Sequence, residues 1–522
     1  MKSLPIVWQE AEGLWPDKIA LITAEEELTY RELARRIRRV SNALIRQWDV
    51  RPGHVVALLA PNSVEFVVSY FAVTVIAGIV HPVDERLKPE EIGFLLEDSG
   101  ARCAIVHQAL WSKFSTVWKT LPALEHVLSI GKVETHSNVE CFDRWLNLPA
   151  DPGDLHESGI SPAPDAIAEF MYTSGTIGKP KGAMRSHGNA RAASGNARRA
   201  FGYRHEDVIA IVMPLSHSSA LVSQMLPMIE VGGTAVLVER FDAVDLLARI
   251  RKWNVTCFRA VPATFKMLMV YPEFHADYLP SLRLLMNSSA AIESQTHLAI
   301  KERFPNVELV NSYGLTEAST CTILSDTVGL EHPDSIGVPI PGVEMAVMDD
   351  EGCPVEEGLT GEIWVRGPHA CLGYHRLPAE TEALFAPGGW LKTGDMGHKD
   401  SLGLFYFHGR KVDVINCGGR KYAPVEVEQC ILELKDVAEV AVLGVPHRVL
   451  GQVAKAYVVF RDRATGDLKA VTRHCARSLP SHKVPFFMEA VDALPRNSLG
   501  KMLHRELKAE SPPALHKVSR NG

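Results

Sequence analysis

The segment Tyr172–Gly182 holds the side chains best suited to binding a polyphosphate. Its sequence, YTSGTIGKPKG, contains three glycines, two threonines, one serine and two lysines. Glycines let backbone N–H groups approach an anion, hydroxyls donate further hydrogen bonds, and lysine ammoniums neutralise charge. The spacing is not that of a Walker A loop, because Gly175 and Gly178 are too close together and Lys179 precedes a proline. Residue types alone therefore predict a glycine-rich phosphate-binding loop, with an ordinary surface loop as the alternative.

Further segments carry groups that could do chemistry beside a phosphate. They are NSYGLTE at 311–317, TGD at 393–395, GR at 409–410 with GG at 418–419, and LPRNSLGK at 494–501. Glu317 is a hard oxygen ligand suited to Mg²⁺, although such a residue alone is equally well a surface acid. Asp395 can accept hydrogen bonds from two hydroxyls, and its alternative role is to cap a turn. An ammonium such as that of Lys501 can stabilise charge that develops in a transition state.

Length and composition describe a large multidomain protein. The chain has 522 residues with 55 basic and 62 acidic side chains, a formal net charge of −7. This length exceeds what one hydrophobic core supports, so at least two domains are expected. The acidic balance excludes a broadly basic nucleic-acid binder. No apolar stretch approaches the ~20 residues needed to span a bilayer, and nine scattered cysteines without a C-x-x-C favour a reducing cytoplasm.

The pattern of elements predicts an α/β fold. The first 165 residues alternate strand and helix signals, with a capping box at Thr29–Glu32 and strands at 55–60 and 102–107. Residues 331–409 form short β-rich segments separated by Gly, Pro and Asp. The last hundred residues return to an α/β pattern, with helices predicted at 425–434 and 468–479 and strands at 439–444 and 454–460.

In their order and approximate spacing, these segments resemble the signature motifs of the AMP-forming (adenylate-forming) superfamily. That superfamily contains acyl-CoA synthetases, nonribosomal peptide adenylation domains and beetle luciferases. The resemblance covers essentially the whole chain. It implies a large N-terminal domain, 1–409, of parallel-type sheets flanked by helices, which includes the β-rich subdomain 331–409. A small mobile α/β domain, 410–522, would follow and carry Lys501.

The resemblance implies a reaction in two halves: a carboxylate attacks the α-phosphorus of ATP, and a thiol then displaces AMP from the acyl-adenylate. Lys501, Thr316, Glu317 and His217 would be catalytic, and Thr176 and Glu317 would hold Mg²⁺. The residues implied to bind ATP or AMP are Thr173, Ser174, Gly175, Thr176, Gly178, Lys179, Ser289, Ala290, Ala291, Asn311, Tyr313, Gly314, Thr316, Asp395, Phe407, Arg410 and Lys501.

The same resemblance implies that the C-terminal domain rotates between the half-reactions. Rotation would replace Lys501 by Cys417, Gly418 and Gly419, which would line the CoA side. At the hinge, where the family usually has Asp or Lys, this chain has Val412, or Asp413 if the alignment slips by one residue. The adenine-cradling segment, usually Gly-Gly-Ala-Pro, reads Ser-Ser-Ala-Ala at 288–291.

The acid substrate is expected to lie beside the motif PLSH, which ends at His217. The residues implied for the acid pocket are His217, Ser218, Val261, Ala263, Asn287, Ser288 and Gly314. Amino-acid-activating relatives carry an Asp near this motif, whereas residues 216–220 supply no carboxylate. Small, weakly polar walls suggest a bulky aliphatic, aryl or polycyclic acid.

Three functions remain open at this point. The first is an acyl-CoA synthetase that uses ATP, Mg²⁺ and CoA in the cytoplasm. The second is an acyl-AMP ligase that loads a carrier protein, and the third is a nucleotide-binding regulator without catalysis. The sequence leaves open whether the protein forms a homo-oligomer.

Substitution of Lys501 separates the enzyme from the regulator. Lys501→Ala removes the ammonium expected to face the α-phosphate and the attacking carboxylate. We therefore expect the variant to lose most acid-dependent exchange of pyrophosphate into ATP while it still binds ATP. Unchanged exchange would contradict the assigned role of Lys501.

Overall fold

The computed structural model describes residues 2–133, 139–148, 162–173, 179–288, 290, 292–462, 464, 466–495 and 507. These residues form two compact units. The first consists of the described residues up to 173, together with 179–344 and 365–391. The second consists of 345–364 and the described residues from 392 onward. The predicted domain boundary near residue 410 stays a prediction.

One sheet of the first unit is built around parallel strands. In spatial order its strands are Ser335–Pro339, Ser319–Leu324, Glu308–Leu315, Leu284–Ser288, Cys257–Ala260, Val208–Ile211, Thr234–Leu237, Ile19–Ile22 and Glu27–Thr29. The five pairings from Glu308–Leu315 to Ile19–Ile22 are parallel, and those beyond them are antiparallel. The carboxyl ends of parallel strands meet at one edge, where ligands of open α/β sheets bind.

A second sheet of this unit contains the strands on either side of the glycine-rich segment. In spatial order its strands are Gly373–Tyr374, Lys181–Ser186, Ile167–Thr173, Ile79–Pro82, Val55–Leu59, Cys103–His107, His126–Ile130 and Val139–Cys141. The pairings from Ile167–Thr173 to Val139–Cys141 are parallel. Buried strands such as Val55–Leu59 are apolar throughout, as expected of a sheet covered on both faces.

Helices connect the strands of the first unit and pack on its sheets. They are Ile6–Leu14, Tyr30–Trp48, Val64–Val75, Pro89–Ser99, Trp111–Trp118, Phe142–Leu146, His187–Phe201, Ser218–Ala220, Leu226–Glu230, Ala243–Lys252, Pro262–Leu268, Ser294–Arg303, Asp326–Glu331 and Pro378–Leu384. A 3₁₀ turn spans Gln108–Leu110, a π-helical turn spans Leu221–Met225, and a short strand, Phe385–Ala386, pairs with Trp390 and Leu391. Thr29 caps its helix as predicted, because its hydroxyl accepts from the N–H of Glu32 at 3.2 Å.

Most residues of two further groups of hydrogen-bonded strands belong to the second unit. The strands of the first are, in spatial order, Glu344–Met348, Gly361–Arg366, Trp390–Lys399 and Phe405–Arg410. The strands of the second are Arg420–Tyr422, Ile415–Cys417, Gly451–Phe460 and Val437–His447, and Phe487–Ala490 pairs with Gly451–Phe460 in parallel. A 3₁₀ turn, Lys411–Asp413, and helices Pro424–Leu432 and Leu468–Ser478 complete it. Val427, Ile431, Val442 and Ala456 lie in the core beneath these helices.

Of the helices in the described part of the chain, none is both long enough and apolar enough to cross a membrane.

Candidate functional site

The two strands beside the glycine-rich segment are antiparallel, and Thr173 lies opposite Lys181. The exposed Lys179 holds its ammonium 4.9 Å from the centre of the Phe94 ring. The ammonium of Lys181 lies 5.1 Å from the centre of the Tyr374 ring. Two lysine charges therefore lie at this end of the strand pair. Ser174, Gly175, Thr176 and Gly178, which the sequence assigns to the phosphates, lie outside the described residues.

Thr316 and Glu317 lie in a tight turn that joins two antiparallel strands of the first sheet. Leu315 and Ser319 are opposite each other across this turn. A Cβ on Gly314 would be 2.0 Å from the carbonyl oxygen of Ser319, so the preceding strand tolerates only glycine there. Ser319 has φ +55°, a left-handed conformation that is unfavourable for a residue with a Cβ. Local backbone geometry therefore presents Thr316 and Glu317 at the carboxyl end of the strand.

A hydrogen bond from Tyr374 orients the carboxylate of Glu317. The Tyr374 hydroxyl donates to Oε1 at 2.6 Å, and the Cys371 N–H donates to the Glu317 carbonyl at 2.7 Å. Tyr374 is fixed in turn by strand pairing with Ala183. Among the described residues no group donates to Oε2, so this half-buried carboxylate keeps one oxygen for a cation. This donor set fits Mg²⁺, which needs one or two carboxylates and otherwise keeps its waters.

A buried ion pair connects the two strands beside the glycine-rich segment with the turn that carries Thr316 and Glu317. Nη1 of Arg185 lies 3.1 Å from Oε1 of Glu169, and neither side chain has any solvent exposure. The Tyr70 hydroxyl donates to Oε2 of Glu169 at 2.9 Å, and burial together with this carboxylate raises the pKa of Tyr70. Nη2 of Arg185 donates to the Ser218 hydroxyl at 2.8 Å and also to the Thr316 carbonyl.

This polar centre escaped the sequence analysis, although its signal is visible in hindsight. Glu169 and Arg185 each occupy a position within a strand where most neighbours are buried. A carboxylate and a guanidinium at such positions are stable only when they pair with each other and fill their remaining hydrogen bonds. Ser218, which accepts a hydrogen bond from Arg185, also forms a hydrogen bond with Ser319, with 2.9 Å between their hydroxyl oxygens.

His217 is paired with an acid that the sequence analysis did not identify. Its Nε2 lies 3.0 Å from Oδ2 of Asp84, and Nε of Arg86 lies 3.0 Å from Oδ1 of the same carboxylate. Burial alone would raise the pKa of Asp84, but the hydrogen bonds and charges of His217 and Arg86 hold it well below its ordinary value. Asp84 therefore stays ionised and fixes the imidazole ring of His217.

The remaining candidate residues for the nucleotide and acid sites lie at the ends of the parallel strands, on both faces of the sheet. Ala260, Asn287 and Asn311 are in register with one another, whereas Ser288 is in register with Ser312 on the opposite face. Asn287 donates to the carbonyl of Ala290 at 2.8 Å. The amide oxygens of Asn287 and Asn311 are buried and accept no hydrogen bond from the described residues. They can accept from an amino group of a ligand.

The other candidate residues near these strand ends are more exposed to solvent. Tyr313 is half-buried, and Ala263 is exposed in the first turn of helix Pro262–Leu268, which Val261 precedes. Ser289 and Ala291 lie outside the described residues.

In the second unit, Asp395 and Arg410 lie opposite each other on paired strands. Nε of Arg410 is 3.0 Å from Oδ1 of Asp395, whose side chain is almost fully buried. The Asp395 N–H donates to the Thr393 hydroxyl at 3.0 Å, and Thr393 donates to the carbonyl of Ile363 at 2.6 Å. These bonds fix the part of strand Trp390–Lys399 that carries Asp395. Phe407, on the same strand as Arg410, is 39% exposed.

Gly418 and Gly419 form the turn between two short strands, with φ +60° and +86°. The Gly418 N–H donates to the carbonyl of Leu450 at 2.8 Å, and Cys417 is buried. Glycine is favoured at both positions because the turn requires positive φ values there. Val412 is exposed within the turn Lys411–Asp413, and Lys501 lies outside the described residues.

Removal of one partner of the Arg185–Glu169 pair should strongly destabilise the first unit. Arg185→Met leaves the Glu169 carboxylate buried without a counter-charge, which costs about 3–5 kcal/mol in buried pairs. We expect denaturant unfolding to show a loss of this order. The double variant Arg185→Met with Glu169→Gln is the matched control, because it removes both charges, and it should recover a large part of the loss. A single variant as stable as the native protein would contradict this account.

Comparison with known proteins agrees with these features. The AMP-binding enzyme family model matches residues 8–375, and the AMP-binding enzyme C-terminal domain model matches residues 426–501. The chain is 30% identical to a crotonobetaine/carnitine–CoA ligase of Salmonella typhi, over 97% of this chain and 99% of that protein. It is also 30% identical to a long-chain-fatty-acid–CoA ligase of Bacillus subtilis, over 99% of this chain and 96% of that protein.

Among solved structures, ATP-bound MatB from Rhodopseudomonas palustris superimposes with a TM-score of 0.86 at 26% identity, covering 97% of this chain and 98% of that one. The predictions of the fold class and of an AMP-forming acid–thiol ligase are thereby confirmed. Because the two family models together match most of the sequence, the chain belongs to the AMP-binding enzyme family.

Proposed function

We propose that this protein activates a carboxylic acid with ATP and then transfers the acyl group to CoA. The observation that carries the proposal is the Glu317 carboxylate, held by Tyr374, whose ring also lies 5.1 Å from the ammonium of Lys181 near the end of the glycine-rich segment. This arrangement suits a polyphosphate substrate with its divalent cation. The relatives named as CoA ligases align with this chain over nearly its full length, which supports CoA as the acceptor.

In the first half-reaction, a carboxylate oxygen of the acid attacks the α-phosphorus of ATP. The bond between the α-phosphorus and its bridging oxygen breaks, and pyrophosphate leaves with the electron pair. Ser174, Thr176 and Lys179 would bind the β- and γ-phosphates. Glu317 and Thr176 would hold Mg²⁺, which when bound neutralises charge on the departing pyrophosphate.

Nucleotide recognition would use residues from separate parts of the chain. The buried amide oxygen of Asn311 is an acceptor for the adenine amino group, and Tyr313 offers a flat ring for stacking. Asp395 would accept from the ribose hydroxyls, with Arg410 already fixed beside it. Lys501 would stabilise the charge that moves when the new phosphorus–oxygen bond forms.

In the second half-reaction, the sulfur of CoA attacks the acyl carbon and AMP leaves as the carbon–oxygen bond breaks. The thiol proton passes to solvent. Cys417, Gly418 and Gly419 would line the path of the thioester arm after the C-terminal domain has turned. Hinge motion near Val412 stays a prediction, and a short turn with an exposed residue can absorb the change in backbone angles.

We propose that the acid is larger than acetate and is not an α-amino acid. The Asp84 carboxylate lies near His217, but His217 and Arg86 already engage it, so it is not positioned to receive a substrate ammonium. Acids named for the relatives include crotonobetaine, carnitine and long-chain fatty acids, so family membership alone does not fix the substrate. Transfer to a carrier protein is the alternative, and a cytoplasmic location and a homo-oligomer are further proposals.

A panel of carboxylic acids tests the function directly. Pyrophosphate release should require both ATP and an acid, and added CoA should convert the bound acyl-adenylate to thioester and free AMP. We expect larger acids to give a higher kcat/KM than acetate. Accumulation of acyl-AMP without thioester in the presence of CoA would refute the CoA assignment, and acetate as the best acid would refute the assignment of a larger acid.

Tyr374→Phe tests whether orientation of Glu317 supports the metal. The substitution removes the 2.6 Å hydrogen bond to the carboxylate and keeps the aromatic ring. Losing such a support to a metal ligand typically costs 10–100-fold in affinity or activity. We therefore expect a higher Mg²⁺ concentration at half-maximal rate. Tyr406→Phe, which removes a 3.1 Å hydrogen bond to Asp400, is the control and should leave the Mg²⁺ dependence unchanged.

A further inference from the structure

Arg259 is a buried arginine on the sheet face that bears Ser288, one residue of the predicted acid pocket. It lies on strand Cys257–Ala260 and is only 2% exposed. Because side chains alternate along a strand, Arg259 shares its face with Val261, two residues further on. Its guanidinium extends toward the carboxyl end of the sheet, where Nη2 donates to the Ser312 hydroxyl at 2.7 Å. Ser312 is in register with Ser288, another predicted acid-pocket residue.

No acidic side chain among the described residues forms an ion pair with Arg259. Its Nε and Nη1 are buried and donate no hydrogen bond to any described residue. Two other arginines of this unit differ: the fully buried Arg185 pairs with Glu169 at 3.1 Å, and Nε of the partly exposed Arg283 lies 2.8 Å from Oδ1 of Asp207. Unlike these two, Arg259 has three buried N–H groups and a charge without an anion among the described residues.

The aromatic neighbour of Arg259 does not satisfy these donors. Its guanidinium carbon lies 5.0 Å from the centre of the Phe201 ring, a favourable cation–π distance. That contact stabilises the positive charge from one face of the guanidinium group. The five N–H groups point outward in the guanidinium plane, so the ring can accept hydrogen bonds from few of them. Burial lowers the pKa of Arg259 to about 10, so the group remains charged at neutral pH. A buried charge with unfilled donors is costly unless a ligand completes it.

Further polar side chains lie on the helical segment that follows His217 and on the hairpin that follows Tyr313. The hydroxyls of Ser223 and Thr320 are 3.0 Å apart, and the buried Gln224 has an amide oxygen that accepts no hydrogen bond from the described residues. These groups belong to the same helical segment and hairpin that carry Ser218 and Ser319. A purely hydrocarbon acid would leave the free donors of Arg259 without partners, which makes it a poor match.

We propose that Arg259 binds a second anionic group of the acid substrate, so that the preferred substrate is a dicarboxylic acid. One carboxylate reacts with ATP, and the other accepts hydrogen bonds from Nε and Nη1 of Arg259. This inference rests on the proposed ligase function and refines it, because it assigns the second carboxylate of the acid to one residue. A carboxylate matches the guanidinium in charge and in planar two-pronged geometry.

The test compares acids that differ only in the second charge. Succinate, adipate, suberate and terephthalate are each assayed against their monomethyl esters by pyrophosphate release with ATP and CoA. For the diacid whose length fits, kcat/KM should exceed that of its ester by roughly 10–100-fold, the range expected of a buried charge-assisted hydrogen bond. Equal kcat/KM values within every pair would overturn the assignment and leave the ligase function intact.

Substitution of Arg259 assigns the preference to this residue. Arg259→Met should abolish the advantage of the diacid and leave kcat/KM for the ester within about threefold, because the ester makes no ionic contact. Arg283→Met is the control: it removes a partly exposed arginine that directly precedes the strand Leu284–Ser288 and already has an acid partner, and it should preserve the diacid-to-ester ratio. A ratio that survives Arg259→Met would overturn the proposal.

Two further results keep the outcome interpretable. If Arg259→Met does not fold, the comparison of acid pairs on the unmodified protein decides alone. If no acid of either kind supports pyrophosphate release, the ligase function itself fails, and the inference about Arg259 fails with it.

Discussion

The buried ion pair between Arg185 and Glu169 is the interaction on which the first unit's candidate site depends. The two residues are opposite each other on the strands that flank the glycine-rich segment. Both charges are withdrawn from water, so further hydrogen bonds are needed to offset the cost of burying the pair. Tyr70, Ser218 and the Thr316 carbonyl supply such bonds, whereas Nε of Arg185 has no partner among the described residues. Hydrogen bonds of this ion pair therefore link three elements: the strands beside the glycine-rich segment, the helix after His217 and the turn with Glu317.

Backbone constraints complete the positioning of the turn that carries Thr316 and Glu317. Gly314 is required because the Ser319 carbonyl approaches too closely for any Cβ. Gly373, at φ +123°, would bring a Cβ within 2.3 Å of Thr381, and it immediately precedes Tyr374. The hydroxyl that orients Glu317 therefore depends on a strand more than fifty residues further along the chain. Such rigid support fixes the geometry of a carboxylate before any ligand binds.

Elements with strong local signals were predictable from the sequence. The helix after Thr29, the strands near 55–60 and 102–107 and the C-terminal helices near 425–434 and 468–479 were confirmed within one or two residues. Hydrophobic periodicity, capping residues and prolines act over a few residues, so they can be recognised without knowledge of the fold. The family could also be identified from its motifs, because their residue types keep a fixed order.

The sequence by itself determined the candidate nucleotide- and metal-binding groups, since these are carried by short motifs such as NSYGLTE and TGD. It did not reveal the residues that support them. Asp84, Arg185 and Tyr374 look like ordinary surface or strand residues when they are read alone, and their partners lie between 16 and 133 positions away. Only the tertiary structure brings these groups together and removes them from water. It alone also decided that Arg259 is buried without an acid partner in the described chain, because pairing and burial are properties of contacts between distant strands.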